Sequence, residues 1–340
     1  MKIAVDVMGG DRDPKVIIRG AVEAARLVKS EGIGITLVGD EDTIRTELAD
    51  IDTADTVIDC VHASETISMS ESPATAVRRK KNASIPVGIR LIKQNQADAF
   101  VGAGNTGAMV ASSLVTLGRL HGVSRPAITT FFPNQSKGAV VLDVGANSEC
   151  VPRHLFHFAI MGAVLAEHQL GIDKPRVGLL NIGEEPTKGN VLAREAHGLL
   201  KEADLNFIGN VEGRDIFSGA VDVVVCDGFV GNVALKLSES IVSFLTHVVK
   251  LEIKKRNLAK FGALLMKDVF SSVRARLDYA EYGGAPLLGV NGGIIIAHGK
   301  SSSRAIKNAI LMAHRFVSRD INKRIEERFK GIVNDIAKVS

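Results

Sequence analysis

The sequence predicts an α/β fold organised on a parallel sheet. Strand-length apolar runs alternate with helix-length segments from the first residues onward, which implies parallel strands joined by right-handed crossovers. Strand after strand then opens into a loop of glycine with Asn, Asp or Lys, the position where open α/β sheets hold ligands. At 340 residues, 46% hydrophobic, the chain can bury a large core, and no repeat, low-complexity segment or Pro/Ser-rich linker divides it. We therefore expect a single domain over residues 1–340.

Residues 2–7 read as a short buried strand, followed by Met8-Gly9-Gly10-Asp11 and a helix pattern from Pro14 to about Lys29. A strand over 33–38, a helix over 42–48 and a strand over 56–60 complete a βαβαβ opening. Residues 62–84 are polar and read as a loop followed by a short basic helix ending in Arg78-Arg79-Lys80-Lys81. A helix to about Gln94, a strand over 97–101, the turn Gly102 to Gly107 and a small-residue helix over 108–117 follow. Strands over 127–132 and 139–142 flank a turn, and the second ends in Asp143-Val144-Gly145-Ala146-Asn147. A helix over 152–170 leads to the strand beginning at Arg176, then strands over 206–209 and 221–226. Residues 238–277 are expected to form a helical hairpin inserted in the domain, with Gly262 marking the break into two helices. A loop over 282–286, a strand over 293–297 and a helix from Ser303 to about Lys330 close the chain.

The composition excludes several classes. Aromatic residues are 4% with no Trp, which argues against base-stacking platforms, and a net charge of +4 suits an acidic partner without implying nucleic acid. Cys60, Cys150 and Cys226 are far apart and in no CxxC pattern, so the chain is expected to work in a reducing cytosol without structural zinc. The N-terminus enters a strand directly with no signal-peptide core, and no apolar run approaches the roughly 18 residues of a bilayer span.

Five loops share one chemistry: Gly9-Gly10-Asp11, Gly102 to Gly107, Asp143 to Asn147, Gly183 to Asn190 and Asp227 to Asn232. In a parallel sheet they converge on one edge and build a site of neutral donors suited to phosphate and to a developing oxyanion. Lys188, just before Gly189-Asn190 and the next helix, adds a cation where a helix N-terminus already attracts anions. Gly102, Gly104 and Gly107 satisfy G-x-G-x-x-G, but no Asp or Glu lies between Gly107 and Leu142 to hold a ribose, so a nicotinamide enzyme is disfavoured. There is no G-x-S-x-G nucleophile motif. Cys226 reads as a small buried hydrophobe, His298 as a core or loop histidine, and His154 and His157 lack a third ligand nearby. The 238–277 segment interleaves apolar residues with lysines. It either packs on a core or a second subunit, or lies on a membrane surface with Phe261, Leu264 and Leu265 at its tip.

Seven motifs in order resemble those of the PlsX family of bacterial phosphate acyltransferases. They are Val5 to Asp11, Ala103 to Gly107, Leu142 to Asn147, Gly178 to Gly183, Lys188-Gly189-Asn190, Asp227 to Asn232 and Tyr282 to Ala285. The resemblance runs essentially the whole chain. It implies a three-layer α/β/α sandwich, Rossmann-like and with a largely parallel sheet, akin to phosphotransacetylases and isocitrate-dehydrogenase-like enzymes. It implies a homodimer and peripheral association with the cytoplasmic face of the membrane through the hairpin, and no cofactor is expected. The implied reaction takes acyl-acyl carrier protein and inorganic phosphate to acyl phosphate and free carrier protein, for phospholipid synthesis. The family's catalytic lysine falls on Lys188 and its catalytic asparagine on Asn232. Gly9, Gly10, Asp11, Gly104, Asn105, Thr106, Asn147, Asn181 and Gly231 are expected around phosphate and acyl group, and Arg78, Arg79, Lys80 and Lys81 against the acidic carrier.

Overall fold

The computed structural model describes residues 1–54, 56–277 and 283–339, so Tyr282 of the last motif lies outside the described residues. Strands β1 (Lys2–Asp6), β2 (Gly34–Gly39), β3 (Ile58–His62) and β4 (Ala99–Gly102) alternate with helices α1 (Pro14–Leu27), α2 (Glu41–Ala49), α3 (Pro73–Arg79) and α4 (Ser84–Lys93). Helix α5 (Thr106–Thr116) precedes β5 (Ala127–Phe132) and β6 (Ala139–Leu142), and α6 (Pro152–Leu165) precedes β7 (Val177–Leu180). Then come α7 (Val191–Lys201), β8 (Phe207–Val211), α8 (Asp215–Ser218) and β9 (Val223–Val225). Helices α9 (Gly228–Lys255), α10 (Asn257–Leu265) and α11 (Lys267–Leu277) follow. Strands β10 (Ala285–Leu288) and β11 (Gly293–Ile296) and helices α12 (Ser303–Ser318) and α13 (Ile321–Val339) complete the chain.

All eleven strands share one sheet, in the order β3-β2-β1-β4-β11-β10-β5-β6-β9-β7-β8. Alternate residues of β1 enter different cores. Ile3 and Val5 pack with α1, α6 and α12, while Ala4 packs with α4 and α5 on the other face. A sheet buried on both faces explains why its strands read as unbroken apolar runs.

The sheet is not parallel throughout. β3, β2, β1, β4 and β11 run one way, whereas β10 is antiparallel to both β11 and β5, and β5 is antiparallel to β6. β6, β9, β7 and β8 are parallel to one another and therefore opposed to the first group. The five glycine loops accordingly leave from two opposite edges instead of one. Helix α9 links them. It starts at the end of β9, and its Lys236 and Glu239 act electrostatically on His298, at the end of β11.

Three element predictions change. Ala285–Leu288 is a strand where a loop was expected, because Leu287 and Leu288 are fully buried between β11 and β5. The helical segment begins at Gly228 instead of Ser238, and breaks at Arg256 and Met266 while passing through Gly262. The last helix is two, separated at Asp320, whose φ is +52°. Helix α9 is also long and apolar enough, by length and composition, to cross a membrane. An uninterrupted-run criterion misses it because Lys236, Glu239 and several Ser and Thr residues punctuate its apolar positions.

Candidate active site

The loop after β6 is built around Asp143, which is fully buried. Its Oδ1 accepts the N–H groups of Ile128 (3.0 Å), Gly145 (3.1 Å) and Ala146 (3.0 Å). Its Oδ2 accepts the backbone N–H of Asn147 at 2.7 Å and the Asn147 side-chain amide at 2.8 Å. Burial pushes the Asp143 carboxyl above its usual range, and these donors pull it back. The second amide hydrogen of Asn147 goes to Pro126 O at 2.7 Å.

Helix α9 is pressed onto this loop. Asp227 caps it, accepting Val230 N–H at 2.9 Å, and Gly228 donates to Asn147 O at 2.8 Å. A Cβ on Gly231 would stand 1.9 Å from Asp143 O, so only glycine allows the approach. The next residue, Asn232, is exposed. Its side chain lies against Gly145, with Cγ 3.7 Å from where a Cβ there would be, and it bonds to no described residue.

The loop after β7 carries Lys188. Asn181 spans its base, donating to Lys188 O at 3.1 Å and accepting Ile182 N–H at 2.8 Å. Asn190 caps α7 through Ala193 N–H at 2.8 Å. Arg214 holds Glu184 at 2.9 Å, which gives that glutamate a place in the loop. The Lys188 ammonium is exposed, with no carboxylate within ion-pair distance among the described residues. β6, β9 and β7 are adjacent parallel strands, so Asn147, Asn232, Asn181 and Lys188 leave from one edge.

Gly9, Gly10, Asp11, Gly104, Asn105 and Thr106 belong to the other edge. Asp6 Oδ1 accepts the N–H groups of Met8 and Gly9, both at 3.0 Å, while its Oδ2 is buried beside the Ser84 hydroxyl. Burial raises the Asp6 carboxyl to about 6, against the Ser84 hydroxyl and those two N–H groups. Asp11 N–H donates to Gly299 O at 2.8 Å. Asn105 is buried and fully engaged. It caps α5 through Ala108 N–H at 3.0 Å and donates to Ser68 O and Glu71 O, each at 3.1 Å. The basic run is not uniform either. Arg78, Arg79 and Lys81 are exposed, but Lys80 donates to Thr66 O and to Glu71, both at 2.8 Å, and so braces the 66–71 loop.

The chemistry these groups can perform is anion binding and oxyanion stabilisation. Burial pushes the Cys150 thiol up to about 12 and raises the Cys226 thiol well above its usual range, so neither is a thiolate at neutral pH. His157 is buried against Ser124 at 2.9 Å, and burial lowers its pKa to about 4. Among the described residues no three His, Cys, Asp or Glu side chains cluster as a metal set. Arg125 is a cation that sequence reasoning passed over. It is exposed, precedes the Pro126 carbonyl that holds Asn147, and acts on Cys150. No loop motif marks it, since only the antiparallel pairing of β5 with β6 brings it to this edge.

Comparison with known proteins is consistent across three levels. The family model described as "Fatty acid synthesis protein" matches residues 1–324. The chain is 53% identical to the phosphate acyltransferase of Heliobacterium modesticaldum over 337 residues, covering 99% of this chain and all of the relative. It is 50% identical to that of Citrifermentans bemidjiense over 328 residues, covering 96% and 92%. Among solved structures, a phosphotransacetylase from Streptococcus pyogenes superposes with a TM-score of 0.64 at 18% identity, covering 93% of this chain and 94% of that one. The EutD phosphotransacetylase from Staphylococcus aureus gives 0.61 at 16% identity with the same coverage, 93% and 94%. These two share the fold.

Proposed function

The chain belongs to the PlsX family of fatty acid synthesis proteins, and on that premise we propose that it transfers a fatty acyl group from an acyl carrier protein thioester to inorganic phosphate. It is a phosphate acyltransferase, as its relatives at about half identity are. One phosphate oxygen attacks the thioester carbonyl carbon. The new C–O bond forms, the C–S bond breaks, and the electron pair leaves on sulfur as the carrier thiolate, which takes a proton from water. A thiol of pKa about 8.5 leaves readily, so no covalent protein intermediate or strong general acid is required.

One observation carries the site assignment. Lys188 and Asn232 keep their side-chain polar groups exposed and unbonded to any described residue, whereas Asn105, Asn147 and Asn181 have theirs engaged in holding loops. Lys188 offsets the charge of phosphate and oxyanion. Asn232 donates a hydrogen bond to the oxyanion, the positive end of the α9 dipole adds to it, and one such donor contributes roughly 3 kcal/mol to the transition state. Phosphate-dependent release of carrier thiol tests the reading, with acyl-coenzyme A as the competing donor. Activity on the carrier thioester that falls at least a hundredfold in Lys188→Ala and Asn232→Ala supports it (about 3 kcal/mol). Equal use of coenzyme A thioesters would instead favour a phosphotransacetylase-like donor, and thiol release without phosphate would sink the reaction.

Arg78, Arg79 and Lys81 are the cations that receive the acidic carrier, and the enzyme works in the cytoplasm as a homodimer docked on the inner membrane surface. The support is the state of α9 to α11. Only Gly228 and Gly231 of the 28 residues in α9 are buried, and Phe261, Leu264 and Leu265 are 61%, 68% and 73% exposed beside Lys260 and Lys267. A second copy covers the apolar side of α9, and the lipid surface receives the tip.

A further inference from the structure

The peptide of Lys188 is fixed at both of its polar ends, and we propose that Asn181 and Asn210 are positioning residues for Lys188 rather than ligand-binding residues. The inference rests on the role given to Lys188 above. Lys188 N–H donates to Glu185 O at 3.0 Å, and Lys188 O accepts from Asn181 Nδ2 at 3.1 Å. The same Glu185 carbonyl accepts from Asn210 Nδ2 at 2.8 Å. Asn210 is 5% exposed and belongs to β8, so the loop is tied to the sheet itself.

The geometry leaves little slack. Asn181 Oδ1 accepts Ile182 N–H at 2.8 Å, so turning its amide over would break two hydrogen bonds at once. Gly189 has φ +87°, and a Cβ there would stand 2.5 Å from Asn181 Oδ1. Any larger residue at 189 would displace the strut. Gly183 is buried, and a Cβ on it would come within 3.2 Å of Lys188 Cγ, so the lysine stem crosses a glycine floor before reaching solvent. Both struts are neutral amides. A carboxylate at either place would accept, not donate, at these carbonyls and would compete with phosphate for the ammonium. Arg214 meanwhile pairs with the neighbouring Glu184 at 2.9 Å. A backbone held this firmly turns a flexible lysine into a directed cation, and a misplacement of about 1 Å costs on the order of a hundredfold in rate.

A double-mutant cycle on the full chain tests this, reading kcat, KM for phosphate and acyl donor, and thermal midpoint. Asn181→Ala is expected to lower kcat on the order of tenfold to a hundredfold with KM for the acyl donor unchanged. Placed in a Lys188→Ala background it should lower kcat no further, because the group it positions is gone. Near-normal kcat in Asn181→Ala beside an inactive Lys188→Ala would overturn the positioning role alone. A further multiplicative loss in the double variant would overturn it too, giving Asn181 a contact of its own. Full activity of Lys188→Ala would overturn both this inference and the site assignment under it. Should Asn181→Ala not fold, Gly189→Ala displaces the same strut; the same loss of kcat is expected, and unchanged kcat overturns the proposal.

Discussion

Asp143 Oδ2 accepts Asn147 twice, from its backbone N–H at 2.7 Å and from its side-chain amide at 2.8 Å. Together with three N–H groups on Oδ1, one buried carboxylate organises the whole turn on which α9 sits. Replacing Asp143 by Ala strands the buried Ile128 N–H and several partly buried donors, and we expect a loss of about 3 kcal/mol in urea unfolding. Wild-type stability in that variant would mean the turn holds itself.

The Asp6 carboxyl titrates at about 6 in the folded chain against an ordinary 3.8, through burial. The folded state therefore binds more protons than the unfolded state between these values, and this group's contribution to stability falls as pH rises through that window. The span of about two units corresponds to about 3 kcal/mol. Asp6→Asn keeps the acceptor for Met8 and Gly9 and does not ionise. The stability of the variant relative to wild type should rise between pH 4 and 7, measured by denaturant unfolding at each pH. A difference that stays constant across that range would refute the raised pKa.

The two halves of the basic run should separate experimentally. Arg78→Ala and Arg79→Ala are expected to raise KM for the carrier protein and flatten its salt dependence, because exposed charges act through screened steering. Lys80→Ala should instead cost about 1 kcal/mol of stability, since its ammonium joins Thr66 O to Glu71 in a site about one-third exposed. Steady-state kinetics at two salt concentrations, with thermal melts, distinguish the two. Equal KM effects at all three positions would contradict the division.

At the tip of the helical segment, Leu264→Glu with Leu265→Glu should abolish flotation with anionic liposomes while leaving soluble turnover intact. Both leucines are mostly exposed, so the change adds charge without opening a core. Unchanged flotation would return these residues to protein packing.

The sequence by itself determined the α/β class, the identity of the glycine loops and the place of Lys188 in one of them. These are local facts: apolar runs fix strands, glycine fixes turns, and a lysine between a proline and a helix cap is visible in one line of text. It also carried the seven motifs by which the family is known. It did not determine which loops stand together. β10, a four-residue strand with no alternation, pairs antiparallel on both sides, and β5 pairs antiparallel with β6. Those long-range pairings reverse half the sheet and split the expected single edge in two. Apart from the family resemblance, which singles out Asn232, nothing in the sequence separates it from Asn105, Asn147 and Asn181, since an asparagine in a glycine loop looks the same whether its amide is engaged or not. Hydrogen bonds decide that, some of them between residues tens of positions apart, as when Asn105 reaches back to Ser68 and Asn210 to Glu185. Only folding brings those partners within 3 Å or so of one another, and so only the tertiary structure tells a strut from an open donor.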